Sequence, residues 1–259
     1  MTHVFIDLET IPSQDPAILD AIRKAVAGNF KAPSTLTKEQ AAADLGMTDP
    51  GEIKFTSKDS MIAKWVARFR DEKAEDVAQE EYRKTCFDGG KGHIAVIGLA
   101  FDDARPISGY VEDRDGVFDI SLERAVIDLA FERISEHYNP AKDMRPVFVG
   151  HNVTGFDLRF LFQRAVVLGI KPPACIPFGA RPWDAHVFDT MTAWAGHGNR
   201  ISLDSLCAAL GIEGKGSIDG SQVWPMIQEG RIAEVAEYCR HDVEITRNAF
   251  YRLSFAKAA

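Results

Sequence analysis

Two carboxylates close the first apolar run of this chain, and that placement constrains the fold more than any other feature. Residues 3–8, His-Val-Phe-Ile-Asp-Leu, read as a buried strand, and Asp7 and Glu9 stand at its end. Side chains two apart on a strand point to one face, so both acids address a single site. Carboxylates terminating an apolar strand lose hydration, which costs free energy unless a cation or hydrogen-bond donors compensate. The Asp-x-Glu pattern alone is weak evidence. Asp242-Val243-Glu244 repeats it within a predicted helix, where the two side chains face apart.

The remaining pattern supplies a sheet and its covering helices. Residues 12–92 form a long, mainly helical segment in which Met61, Ile62, Trp65, Val66 and Phe69 recur at helical spacing, and Val77, Ala78 and Tyr82 continue that face. Gly89-Gly90-Lys91-Gly92 breaks it before residues 93–101, a continuous apolar run that predicts a central strand. Further strands are expected at 107–111, 146–150 and 187–190. Residues 122–138 have helical periodicity, with Val126, Ile127, Leu129, Ala130 and Ile134 near one face, and 156–168 are apolar enough for a largely buried helix. Ser202 suits the N-cap of a helix over 202–210. The last helix, 232–253, carries a core stripe of Ile232, Val235, Cys239, Val243, Thr246, Phe250 and Leu253. Strands first and helices last, with one strand–helix–strand crossover, predict an α/β fold: a mixed central sheet flanked by helices.

A chain of 259 residues, 46 % hydrophobic and 26 % charged, is long enough for one domain with a sizeable insertion. We read residues 1–259 as that domain and 12–92 as the insertion. No apolar run approaches the roughly 20 residues of a spanning helix, and the N-terminus lacks the basic and apolar regions of a signal peptide. Cys86, Cys175, Cys207 and Cys239 include no Cys-x-x-Cys pair, so they predict reduced thiols in a cytoplasmic protein and neither a zinc site nor a disulfide framework. The net charge of −8 argues against nonspecific, charge-driven adhesion to nucleic acid. Clustered carboxylates that hold cations would account for part of it.

Two further motifs point toward the same place. In Gly150-His-Asn-Val-Thr-Gly-Phe-Asp157 an apolar strand ends at Asn152 and Asp157 opens a buried helix. Taken alone, Asp157 reads as an ordinary acid at a helix N-terminus, stabilised by the helix dipole. In Tyr238-Cys-Arg-His-Asp242 the first and last residues are one turn apart and share a side that flanks the core stripe. Taken alone, Asp242 reads as a surface acid. His241 points elsewhere.

Together, Asp-x-Glu on a first strand, Asn-x-x-x-Phe-Asp in the middle and Tyr-x-x-x-Asp on a late helix resemble the three motifs of the DEDD exonucleases, in the tyrosine form. Position 237 is Glu237, which fits the histidine form poorly. The chain is similar to stand-alone exonucleases related to the proofreading domain of family B DNA polymerases. Residues 201–206, Gly211-Ile212, Lys215 and Gly220 are also similar to that group, whereas the insertion is not explained by it. The resemblance implies a ribonuclease H-like fold and a metal-dependent 3′-5′ exonuclease releasing nucleoside monophosphates.

The resemblance further implies that Asp7, Glu9, Asp157 and Asp242 hold two divalent cations. Oxygen-only ligation suits Mg²⁺ or Mn²⁺. Asp7 is expected to be shared, Glu9 and Asp242 to hold the ion nearer the attacking water, and Asp157 the second ion. Tyr238 is expected to position that water, since a phenol of ordinary pKa near 10 is a poor base at neutral pH. The backbone at Leu8 and Thr10 would bind the terminal nucleotide, and Asn152 and Phe156 would contact the substrate. Phe156 serves equally as core. Lys215 would contact a phosphate or stand as an exposed loop lysine. The expected partner is a nucleic acid 3′ end, single-stranded DNA first, with no membrane partner. Alternatives are an exoribonuclease with the same site and a catalytically silent nucleic-acid-binding domain.

Overall fold

The computed structural model describes residues 2–112, 118–142, 144–214, 216 and 218–256. They cluster into two compact units, one of residues 1–14 and 85–259 and one of Asp15–Lys84. No described helix is long and apolar enough to cross a membrane.

The larger unit is built on a five-stranded sheet: β1 (His3–Ile11), β2 (His93–Phe101), β3 (Ile107–Tyr110), β4 (Val147–Gly150) and β5 (Val187–Asp189), in the order β3-β2-β1-β4-β5. β1 pairs antiparallel with β2 and parallel with β4, and β4 pairs parallel with β5. This is the mixed sheet expected from the order of strands and helices. β1 runs two residues past Glu9 instead of ending there, and its register with β2 slips between Glu9 and Thr10. Such a slip increases local twist and re-aims side chains. The excursion between β1 and β2 begins and ends close together, where Ser13 N–H donates to Thr85 Oγ1 at 3.0 Å.

Both faces of the sheet are covered. Phe5 packs with Val243 and Phe250 of the long C-terminal helix, whereas Val4, Ile6 and Leu8 enter the cluster holding Ile127, Phe131, Phe160 and Leu161. That alternation is the strand period of two. It puts Asp7 and Glu9 on the face of Phe5. The labelled helices of this unit, continuing after the four of the smaller unit, are α5 (Glu123–Ser135), α6 (Asp157–Leu168), α7 (Thr190–Ala195), α8 (Leu203–Leu210), α9 (Val223–Gln228) and α10 (Ile232–Leu253). Ser202 caps α8 by accepting from Ser205 N–H, as its position predicts. Leu129, expected on the inner face of α5, is instead exposed. A buried ion pair ties α6 to α5 and, through Glu123, to the start of β2. Arg164 grips Glu123 through two bonds of 2.8 and 2.7 Å, and Glu123 also accepts from Ile94 N–H at 2.8 Å.

The smaller unit comprises α1 (Pro16–Asn29), α2 (Lys38–Asp44), α3 (Pro50–Phe55) and α4 (Lys58–Lys84). Asp15, Thr37 and Asp49 cap the first three, and Thr37 and Gln40 form a reciprocal capping box. Met61 and Trp65 pack with Ala41 and Ala42, and Trp65 Nε1 donates to Asp44 Oδ2 at 2.7 Å. Trp65 is thus core, and Phe69 packs beside it at 5.4 Å between ring centroids.

Candidate active site

The site forms where β1, the N-terminus of α6 and the middle of α10 meet. Ligand atoms of Asp7, Glu9 and Cys239 lie within 4.8 Å of one another, so the two strand acids share one side as their spacing requires. Asp7 is half-buried and Glu9 buried. Asp157, the first residue of α6, is buried, and its Oδ1 accepts from Leu8 N–H of β1 at 3.1 Å. That single bond joins a helix end and the central strand across 149 residues of chain.

The loop before α6 is held by an acid that sequence reasoning did not single out. Asp189, buried at the end of β5, accepts from Asn152 N–H at 3.0 Å, Thr154 N–H at 3.3 Å and the Thr154 hydroxyl at 3.0 Å. It also caps α7 through Met191 and Thr192 N–H. Asn152 adopts a left-handed φ of 66°, which asparagine tolerates better than most residues. Its carbonyl accepts from Gly155 and Phe156 N–H at 3.0 and 2.8 Å, turning the chain into α6. The available signal was an acid on a short apolar strand directly before a helix.

On α10, Tyr238 and Asp242 are both buried and hydrogen-bonded to each other. Between them in sequence, Cys239 is fully buried, and its thiol lies 3.4 Å from Asp7 Oδ2. The helix approaches this closely because Gly98 stands opposite Asp7 in the β1–β2 register. A Cβ on Gly98 would sit 2.8 Å from Cys239 Sγ and 2.9 Å from Val243 Cγ2. Cys239 was legible as a member of the core stripe, but its contact with an acid was not.

Negative charge dominates the electrostatics. Burial, followed by the charge of Asp7, pushes the Asp157 carboxyl well above the usual carboxylate range, and Asp189 adds to this. Burial and the neighbouring Glu9 and Asp242 raise the Tyr238 phenol. Burial, Asp7 and Glu9 likewise raise the Cys239 thiol. Such mutual opposition is what a bound cation relieves.

Beside the acids lies a cleft of about 490 Å³ lined by Asp7, His151, Ser202, Asp204, Ile218 and Asp219, among others. His151 spans its wall, with Nε2 2.8 Å from Ile201 O and Nδ1 3.0 Å from Thr190 Oγ1. His241, turned away from Asp242, reaches Gly214 O at 3.2 Å.

Leu8 is buried and its N–H is engaged by Asp157. Thr10 donates its hydroxyl to Cys86 O at 2.7 Å. Asn152 is half-buried beside Gly155, where an added Cβ would strike the amide. Phe156 is half-buried, edge-on to the exposed Phe87 at 6.3 Å and 5.6 Å from Phe160. Lys215 lies outside the described residues.

Comparison with known proteins gives a family. No curated protein matches the chain. Among solved structures, the family B DNA polymerase of the hyperthermophilic archaeon Pyrobaculum calidifontis is similar at 19 % identity and a TM-score of 0.46. The match covers 63 % of this chain but only 22 % of that polymerase. A family model described as a predicted 3′-5′ exonuclease related to the exonuclease domain of PolB matches residues 111–259. That region holds Asp157, Tyr238 and Asp242, and β1 brings Asp7 and Glu9 to them. The chain belongs to this family of predicted 3′-5′ exonucleases related to the exonuclease domain of PolB.

Proposed function

We propose that the chain hydrolyses the 3′-terminal phosphodiester of single-stranded DNA in a metal-dependent reaction, releasing nucleoside monophosphates. The observation that carries this reading is the crowding of acids. Asp7 and Glu9 approach each other on β1, and buried Asp157 has its ionisation opposed by Asp7. Hard oxygen donors in that number fit Mg²⁺ or Mn²⁺. The thiol of Cys239, kept protonated by burial and by Asp7, does not compete for such ions. Asp7, Glu9, Asp157 and Asp242 would hold two divalent cations. Bound there, such ions would neutralise the phosphodiester, lower the pKa of water and stabilise the leaving 3′ oxygen.

The chain's own groups orient what reacts. Tyr238 stays a neutral phenol because burial and the nearby acids oppose its ionisation, so it positions the attacking water by hydrogen bonding and does not remove its proton. Asp189 fixes the 152–154 loop and through it the first turn of α6. The backbone at Leu8 and Thr10 is assigned to the terminal nucleotide, Asn152 and Phe156 to substrate contact, and Lys215 to a phosphate.

The test uses 5′-labelled single-stranded DNA and, separately, RNA, with Mg²⁺, Mn²⁺ or EDTA, beside Asp157→Ala. A ladder shortening from the 3′ end, abolished by EDTA and by the substitution, is expected on DNA. Intact DNA and RNA in both metals, with the protein folded by circular dichroism, would refute the reading and leave a silent binding domain. Degradation of RNA alone would move the substrate to RNA.

A further inference from the structure

The segment 181–200 exposes two tryptophans and is balanced in charge within an acidic chain. Trp183 and Trp194 are 58 % and 47 % exposed. The Trp183 ring lies edge-to-face with His197 at 5.1 Å between centroids, and the Arg181 guanidinium stands over it at 5.8 Å. Arg181 is exposed, with Asp184 as an ion-pair partner at 3.7 Å. Beyond Asp184, the sequence up to Leu203 contains one acid, Asp189, which is buried and engaged in capping. Between Asp184 and the cleft acid Asp204 the exposed charge is that of Arg200 alone, with the exposed His197 beside it, within a chain of net charge −8.

This surface also runs into the cleft beside the acids. Arg200 is followed at once by Ile201, whose carbonyl His151 holds, and by Ser202, which lines the cleft with Asp7. Two residues span at most about 7 Å, so Arg200 stands at the cleft rim. Exposed aromatic faces interleaved with cations are the means by which proteins hold single strands. Bases stack on the rings irrespective of sequence, and the cations meet the phosphates. A duplex hides those base faces, so such a surface selects an unpaired strand.

We propose that Trp183, with Arg181, His197 and Arg200, forms a stacking platform at the rim of the Asp7 cleft that holds the single DNA strand on the 5′ side of the terminal nucleotide. The proposal rests on the exonuclease reading. It makes affinity depend on strand length, because the platform engages nucleotides that a very short oligomer does not have.

The experiment measures anisotropy of 5′-fluorescein dT₄ and dT₁₂ on the full chain in EDTA, where hydrolysis is off, and turnover of both in Mn²⁺. The wild type is expected to bind dT₁₂ more tightly than dT₄. Trp183→Ala should weaken dT₁₂ by about 5- to 150-fold, the range for one stacked base, and dT₄ by much less. Trp183→Phe should restore most of the difference. Arg181→Ala with Arg200→Ala should flatten the salt dependence of dT₁₂ binding by roughly two phosphate contacts. If the wild type degrades dT₁₂ and Trp183→Ala keeps its full preference for length, the platform falls and the exonuclease reading stands. If the wild type neither binds nor degrades either oligomer, both fall. Concentration-dependent self-association that Trp183→Ala abolishes, with DNA binding unchanged, would make this face a contact between copies and also overturn the proposal.

Discussion

Gly98→Ala is the substitution that best isolates how the fold builds the site. The added methyl would lie 2.8 Å from Cys239 Sγ, 2.9 Å from Val243 Cγ2 and 3.3 Å from Cys239 O. Comfortable carbon contacts begin at about 3.5 Å, so strand and helix must separate by roughly 0.6–1 Å. Neither side yields easily. Cys239 is fully buried against Asp7, and valine is stiff at χ1. β2 is paired on both edges, to β1 and β3, so the displacement falls on α10. Overpacking of this kind costs about 1–3 kcal/mol, which a domain of ordinary stability survives. The rate suffers more, because α10 carries Tyr238 and Asp242, and a shift near 1 Å in a positioned group costs up to about 100-fold. We expect Gly98→Ala to remain folded by urea denaturation while single-turnover cleavage of a labelled 3′ end falls about 10- to 100-fold. Gly109→Ala is the control. Gly109 faces α5, and its added Cβ would meet Val126 Cγ1 at 3.4 Å, nearly an ordinary contact, so its rate should stay within about twofold of wild type. Wild-type cleavage by Gly98→Ala, or an equal loss in Gly109→Ala, would refute the reasoning.

Asp157→Asn should stabilise the metal-free protein while lowering metal affinity by more than about 100-fold, beyond the usual cost of losing a residue that merely supports a ligand. The folded-state pKa of Asp157 is raised, so its contribution to stability is full below the ordinary carboxyl pKa near 3.9 and is lost as pH rises through the folded value. Thermal unfolding in EDTA across that range should therefore weaken the wild type more than the variant, and a variant melting below wild type at neutral pH would contradict this. Tyr238→Phe should slow cleavage about 10- to 100-fold by a factor constant from about pH 6 to 9, since the buried phenol stays protonated throughout. A pH–rate profile in which the factor changes would sink the positioning role. Arg164→Met should cost about 3–5 kcal/mol by stranding buried Glu123. Burial alone raises the Glu123 carboxyl, but bonds from His93, Arg164 and Ile94 hold it below the ordinary range, so its stabilisation is present above about pH 4.3 and lost as pH falls. Acid unfolding should thus begin at higher pH in the variant, which circular dichroism against pH would reveal.

The elements that sequence made legible are those in which one period dominates. The apolar runs became β1, β2 and β4, and the stripe from Ile232 to Phe250 became the buried face of α10. Asp7 and Glu9 were legible as partners because a strand fixes side-chain direction at a spacing of two. What eluded the sequence was contact between distant segments. Nothing local to Gly98 or Cys239 shows that they touch, and the Leu8–Asp157 bond has no signature on either side. Asp189 lay on the short strand expected at 187–190, but nothing local shows that its carboxylate holds the 152–154 loop. Leu129 was misplaced because 3.6-residue periodicity leaves residues at the border of a stripe free to face solvent.

On the proposed function, catalytic competence depends on the completed fold, because the acids are divided among its elements. Asp7 and Glu9 ride on the central strand, Asp157 on the first turn of α6, and Tyr238 and Asp242 on α10. Residues 111–259, the region matched by the family, contain only the last three of these, and lack the strand that lies between β2 and β4. Asp157 itself is fixed by accepting from the backbone of that strand. Gathering such groups costs stability, because each ionised carboxylate raises the pKa of the next. The apolar clusters on both sheet faces must offset that cost before any ion binds. It follows that divalent cations should couple the three elements energetically: binding should slow amide exchange at β1, the start of α6 and the centre of α10 together, while leaving the peripheral turns unchanged.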